Sequence, residues 1–147
     1  MLIALAIVVI ATAIALIVQR RRVPDAPTQR RYSAPEQLDR RDFVRPDAPW
    51  LVAVFTSDTC DMCANVFSKA AVLESDDVAV ENVDFVTRRD LHGRYEIDAV
   101  PTLVIVGADG VARRSFIGPM TATDLWAAVA EARDPGSTPG SCEQHAR

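Results

Sequence analysis

Six consecutive apolar residues, Trp50-Leu51-Val52-Ala53-Val54-Phe55, pass through Thr56-Ser57-Asp58-Thr59 into Cys60-Asp61-Met62-Cys63, and this join limits what the chain can fold into. A short run of β-branched and aromatic residues bounded by polar turn formers reads as a buried strand. The residues after the second cysteine read as a helix from about 60 to 74, with Val66, Phe67, Ala70 and Leu73 as its apolar stripe. Ser57 or Thr59 is placed to cap that helix, its side-chain oxygen accepting from an orphan backbone N–H. Cys60 therefore stands where a strand ends and a helix begins.

A thiolate is the nucleophile of disulfide exchange, and a helix N-terminus stabilises it through unpaired N–H groups and the positive end of the dipole. Cys63 lies about one helical turn further on, close enough to close a ring with Cys60. In that chemistry Cys60 attacks a partner's sulfur and Cys63 resolves the mixed disulfide. The same spacing serves zinc half-sites, so the pair alone leaves both chemistries open. Asp61, beside the thiols, adds negative charge that opposes a thiolate on Cys60, against the helix dipole that favours it.

A chain of 147 residues has room for one domain with a real core plus appendages. Its charge is unevenly spread. Residues 1–45 carry eight arginines against four acids, whereas residues 46–147 carry eight bases against sixteen acids. The acidic part argues against nucleic-acid binding, and three cysteines are too few for a disulfide scaffold.

Residues 2–18 carry no charge and lead directly into Gln19-Arg20-Arg21-Arg22. As a helix they would span about 26 Å, at the short end of what crosses a hydrocarbon core of roughly 30 Å. A cleaved signal peptide wants bases before its apolar stretch and a small-residue cleavage site after it. Here the bases follow, so residues 1–19 read as a retained transmembrane anchor rather than a signal peptide, a buried core helix or a misassigned start. The arginine flank places the soluble part in the cytoplasm by the positive-inside rule, with an extracytoplasmic domain as the alternative. Residues 20–31, with Pro24, Pro27 and five arginines, read as a semi-extended tether that can also meet anionic headgroups.

From Tyr32 onward the texture is that of a folded domain, expected over 32–134. Residues 32–35 suggest an edge strand and 35–43 a first helix with Ser33 near its cap. Residues 78–86 read as a strand, 88–95 as a short polar helix and 97–106 as a strand with a proline near its start. Ala108-Asp109-Gly110 is a hairpin signal, and 111–117 alternates as the returning strand. Thr121-Ala122-Thr123-Asp124 has the form of a capping box with Asp in the last place. It opens a final helix whose apolar side is Leu125, Trp126, Val129 and Ala130, with Trp126 in the core. His92 is expected at the solvated surface. Residues 135–147, rich in Gly, Ser and Pro, read as a disordered tail.

Taken in order, these elements resemble the thioredoxin-like family over about residues 32–133. The resemblance rests on Phe55 five residues before Cys60, the Cys60–Cys63 pair, Tyr95 and Ile97 leading into Val100-Pro101-Thr102, and Gly110 followed by Gly118. It implies an α/β fold with a central mixed sheet flanked by helices. It also implies that Pro101 is cis, lies beside the two cysteines, leaves the backbone of Val100 free to pair with an extended substrate peptide, and fills the space a metal ligand would need. Thr59 and Met62 flank the sulfurs as substrate-facing residues, Thr59 where the family has tryptophan. No cofactor is implied, and the partners are disulfide-bearing proteins or low-molecular-weight thiols.

The chain departs from the family where a buried acid handles the proton of the second cysteine: that position is Val54, leaving Glu81 or Asp84 as substitutes. Two function classes follow, a membrane-tethered thiol–disulfide oxidoreductase and a thioredoxin-fold binding module whose cysteines do not cycle. A further alternative is a zinc site of Cys60, Cys63, Cys142 and His145. Topology has a direct check. If the domain is cytoplasmic, a membrane-impermeant thiol reagent added to intact cells leaves Cys60 unlabelled until the cells are opened. Labelling of intact cells places the domain outside.

Overall fold

The structure, a computed structural model, describes residues 32–137. The anchor, the tether and the tail cysteine and histidine lie outside the described residues. Among the described residues no helix is long and apolar enough to cross a membrane.

Four strands form one mixed sheet: β1 (Trp50–Thr56), β2 (Val78–Asp84), β3 (Thr102–Gly107) and β4 (Ala112–Ile117), in the order β2-β1-β3-β4. The central strand β1 runs parallel to β2 and antiparallel to β3, which pairs antiparallel with β4. Its continuous apolar run follows from that position. Val52 and Val54 enter one core cluster, Leu51, Ala53 and Phe55 the other, and all five are fully buried. A strand covered on both faces has no polar side to alternate with.

Helix α1 (Cys63–Ala71) and helix α3 (Ala122–Arg133) cover the face of Val52 and Val54, through Val66 and Ala70 from α1 and Leu125 and Val129 from α3. The opposite face is closed by helix α2 (Arg89–Arg94), by Leu38 and Phe43, and by Tyr95 and Ile97. Thr121 caps the helix as expected, its Oγ1 accepting from the Asp124 N–H at 3.1 Å, but the Asp124 carboxylate accepts from that hydroxyl at 2.7 Å instead of from the Thr121 N–H of a full capping box.

The segment expected as a strand and first helix is instead extended chain with a single 3₁₀ turn, Arg40–Asp42, capped by Asp39 rather than Ser33. The reason lies in its spacing. Leu38 and Phe43 are the apolar residues it buries, and five positions apart they cannot share one helix face. Its backbone bonds go to the β3–β4 hairpin, with Leu38 N–H donating to Gly110 O and Ala112 N–H to Glu36 O, both at 2.8 Å. Tyr95 pins the turn from below: its hydroxyl accepts from Asp39 N–H at 3.0 Å and donates to the Asp42 carboxylate. Burial first, then the Asp42 bond, push the Tyr95 hydroxyl up to about 12.

Two side chains lie elsewhere than expected. Trp126 is 45% exposed, because Leu125 and Val129 take the face toward the sheet and leave it about 100° round the helix. Its Nε1 donates to Lys69 O at 3.3 Å, bridging the seam between α3 and α1. His92, expected in solvent, is 3% exposed. Its Nε2 bonds the Val83 carbonyl at 2.8 Å, and its ring meets Phe55 and Phe85 edge-on.

The hairpin turn sets a steric limit. Gly110 has φ +74°, and a Cβ built on it would lie 2.2 Å from the Leu38 carbonyl oxygen, whereas a Cβ on Gly118, at φ +88°, meets nothing within 4 Å. Gly118→Ala should therefore cost only backbone strain, about 1–2 kcal/mol. Gly110→Ala should cost clearly more, because the Leu38–Gly110 contact must open as well. Urea denaturation of both variants checks the ordering; equal losses contradict it.

Candidate active site

The register brings the expected site to one end of the sheet. Phe55, near the C-terminal end of β1, pairs with Thr102 at the start of β3, and Thr102 pairs with Ile117 at the end of β4. Thr56 pairs with Asp84 at the end of β2. The cysteine loop after Thr56, the loop after Asp84, the Ala99-Val100-Pro101 segment and the turn at Gly118 thus open from the same edge. Phe85 N–H donates to Thr56 O at 2.9 Å, and Gly118 N–H donates to Pro101 O at 2.8 Å, tying these loops together in pairs.

Cys60 and Cys63 are joined in a disulfide, with their Cα atoms 5.5 Å apart. They differ in surroundings: Cys63 is 3% exposed, whereas Cys60 is only half-buried. Thr59, Asp61 and Met62 beside them are exposed, Met62 at 47%. The local chain explains the difference. Cys60 stands between two tight turns, its N–H donating to Ser57 O at 3.1 Å and its carbonyl accepting from Cys63 N–H at 3.2 Å.

The helix itself begins later than expected, at Cys63, with Met62 as its N-cap and no side chain capping it. Neither Ser57 nor Thr59 reaches it. Ser57 Oγ instead bonds Thr59 Oγ1 at 3.1 Å and accepts from Thr59 N–H at 3.4 Å, which shapes the loop ahead of the cysteines.

The Val100–Pro101 peptide is cis. Pro101 is buried and Val100 half-buried. Thr102 Oγ1 donates to Ala99 O at 2.8 Å and fixes the turn ahead of β3. Among the described residues Val100 makes no backbone hydrogen bond, so its N–H and C=O are available to another chain.

Val54, at the position where the resembled family carries an acid, is fully buried among aliphatic side chains. Glu81 lies on the opposite face of the sheet from α1. It accepts from Val44 N–H at 2.7 Å and from Arg88 at 2.8 Å, so it serves the segment 42–44 and not the thiols. Asp84 caps its own loop, accepting from Val86 N–H at 2.9 Å and Thr87 N–H at 3.3 Å. The polar pair on the α1 face is Thr56 with Asn82, and sequence reading passed over it. Thr56 is 4% exposed, and its Oγ1 donates to Asn82 Oδ1 at 2.6 Å. The signal was the period of two: Thr56 follows Val52 and Val54 on the same side of β1.

Among the described residues no group of three or more His, Cys, Asp or Glu is arranged to hold a metal ion. Of the four residues considered for zinc, Cys60 and Cys63 are bonded to each other, and Cys142 and His145 lie outside the described residues.

Comparison with known proteins gives a consistent result. A sequence model of the thioredoxin family matches residues 39–131. The chain is 34% identical over 91 residues to a thiol:disulfide interchange protein, DsbD, of a Pseudomonas species; the match covers 55% of this chain and 16% of that protein's length. Among solved structures, a thioredoxin variant from Halobacterium salinarum matches with a TM-score of 0.53 at 23% identity, over 68% of this chain and 93% of its own. Thioredoxin from Fasciola hepatica matches with a TM-score of 0.50 at 26% identity, over 57% of this chain and 81% of its own.

Because both carboxylates are committed elsewhere, Glu81→Gln should leave the pH dependence of thiol reactivity in the reduced protein unchanged. Alkylation rates of Cys60 between pH 5 and 9 check this. A displaced profile would mean that Glu81 reaches the sulfurs.

Proposed function

The chain belongs to the thioredoxin family, and on that footing we propose that it is a membrane-tethered thiol–disulfide oxidoreductase exchanging disulfides with protein or low-molecular-weight thiol partners through Cys60 and Cys63. The observation that carries the reading is the disulfide between them: an accessible sulfur and a buried one, within bonding distance, at the open end of the sheet. The similarity to a thiol:disulfide interchange protein supports the same chemistry.

In the reducing direction the Cys60 thiolate attacks one sulfur of the partner's disulfide, and the other sulfur leaves as a thiolate. Cys63 then loses its proton and attacks Cys60 Sγ. The protein's disulfide re-forms and the partner's second sulfur departs with the electron pair. In the oxidising direction the steps run backward. The roles follow from exposure: the attacking sulfur must meet the partner, and the resolving sulfur need only meet its neighbour. An extended partner chain lies along Val100, whose backbone groups have no other hydrogen bond among the described residues, with Pro101 behind it and Thr59 and Met62 at its sides.

The tether is read from residues 1–31. The uncharged stretch of 2–18 and the arginines that follow it support an anchor with the domain on the cytoplasmic side.

Insulin reduction by dithiothreitol tests the chemistry. The wild-type chain should accelerate it, Cys60→Ser should return it to the uncatalysed rate, and Cys63→Ser should accumulate a mixed disulfide with its partner. Acceleration that survives Cys60→Ser would remove the assignment and favour a binding module whose cysteines do not cycle.

A further inference from the structure

The Cys63 thiol must ionise to resolve a mixed disulfide, yet no carboxylate of the sheet is turned to it: Val54 is apolar, Glu81 lies on the face opposite α1, and Asp84, beside Thr56 at the end of β2, accepts from the Val86 and Thr87 N–H groups of its own loop. What the α1 face does offer is a hydroxyl. The alternation that turns Val52, Val54 and Val80 toward α1 carries on to Thr56 and Asn82, at the edge of the sheet from which the cysteine loop leaves. Thr56 is 4% exposed, and among the described residues the one partner of its hydroxyl in the disulfide form is Asn82 Oδ1 at 2.6 Å. Cys63, the first residue of the helix over that face, is 3% exposed. A thiolate formed there is cut off from water, and a neutral donor is what would hold it.

We propose that the Thr56 hydroxyl turns from Asn82 to donate to the Cys63 thiolate during resolution, so that Thr56 and Asn82 together set the pH at which the mixed disulfide closes; this rests on the disulfide-exchange reading above. In the mixed disulfide Cys63 gives its proton to water, and the Thr56 O–H rotates about its Cβ–Oγ bond toward the sulfur. The thiolate attacks Cys60 Sγ, the bond from Cys60 to the partner's sulfur breaks, and the partner leaves as a thiolate that takes up a proton from water. Two electrons pass from the protein's two thiols to the partner's disulfide. Once the new disulfide leaves no charge to solvate, the hydroxyl returns to Asn82. The exchange is cheap because Asn82 is exposed, so water replaces Thr56 at its Oδ1 while the hydroxyl is turned away.

A hydrogen bond to the charged form favours ionisation, so Thr56→Val should move the ionisation that governs resolution to higher pH. A less acidic thiol is also a better nucleophile once ionised, with a Brønsted slope of about 0.4–0.5. For each unit of that displacement, resolution should therefore be about threefold slower at pH 7 and about threefold faster on the alkaline plateau. The two rate profiles cross.

The experiment uses the full chain carrying Cys142→Ser, reduced and mixed in stopped flow with 5,5′-dithiobis(2-nitrobenzoate). A first thionitrobenzoate is released when Cys60 attacks and a second when Cys63 closes the ring. Thr56→Val should give the crossed profile, and Thr56→Ser, which keeps the hydroxyl, should follow the parent. Asn82→Ala removes the resting partner from an exposed position; it should displace the profile toward lower pH and keeps the test alive should Thr56→Val not fold. Profiles of Thr56→Val or Asn82→Ala that superimpose on the parent, or that fall by one factor at every pH, overturn the proposal. A parent that releases no second thionitrobenzoate overturns the exchange reading itself.

Discussion

The placement of β1 between two partners governs the rest of the molecule. Hydrogen-bonded to β2 on one side and to β3 on the other, and covered on both faces, β1 has every side chain from Leu51 to Thr56 buried. Its register with β3 is then fixed twice over, by the ladder and by the packing of alternate residues into two separate cores, because a slip of one residue would exchange the cores. That register is what brings the start of β3, and the cis proline just before it, to the end of the sheet from which the cysteine loop leaves. The site is a consequence of strand pairing. No residue within the loop needs to hold the two segments in register.

The asymmetry between the two sulfurs has the same origin. A strand that ends in the core must release its chain toward solvent before a helix can begin on its face. The turns at Ser57 and Cys60 make that passage, so Cys60 lies on the way out and Cys63 on the way back in. Exposure, more than the helix dipole, distinguishes the surroundings of the two sulfurs here, since the helix starts only at Cys63. Asp61 and Met62 between them face solvent.

Much of this was legible in the chain. The uninterrupted apolar run of β1 announced a buried strand, Asp109-Gly110 announced the hairpin, and Thr121 with Asp124 announced the last helix, because each is a local signal with a local cause. The failures were of another kind. Residues 35–43 have enough helix formers to suggest a helix, yet Leu38 and Phe43 are drawn to the sheet as extended chain, and the hairpin supplies their backbone partners. His92 looks like a polar helix residue until Val83, Phe55 and Phe85 surround it. Trp126 is apolar enough for any core, but Leu125 and Val129 take the face turned to the sheet and it stands off that face. Thr56 and Asn82 form a pair only once β1 and β2 are aligned. Tertiary partners decide such positions, and no window of sequence contains them.

The proposed exchange requires Cys60 to be the sulfur that meets the outside world and Cys63 the one that waits behind it. Brief treatment of the fully reduced chain with less than one equivalent of iodoacetamide, followed by peptide mapping of the two positions, tests this most directly. Label on Cys60 with Cys63 almost untouched is the predicted result. Equal labelling of the two, or label first on Cys63, would contradict it.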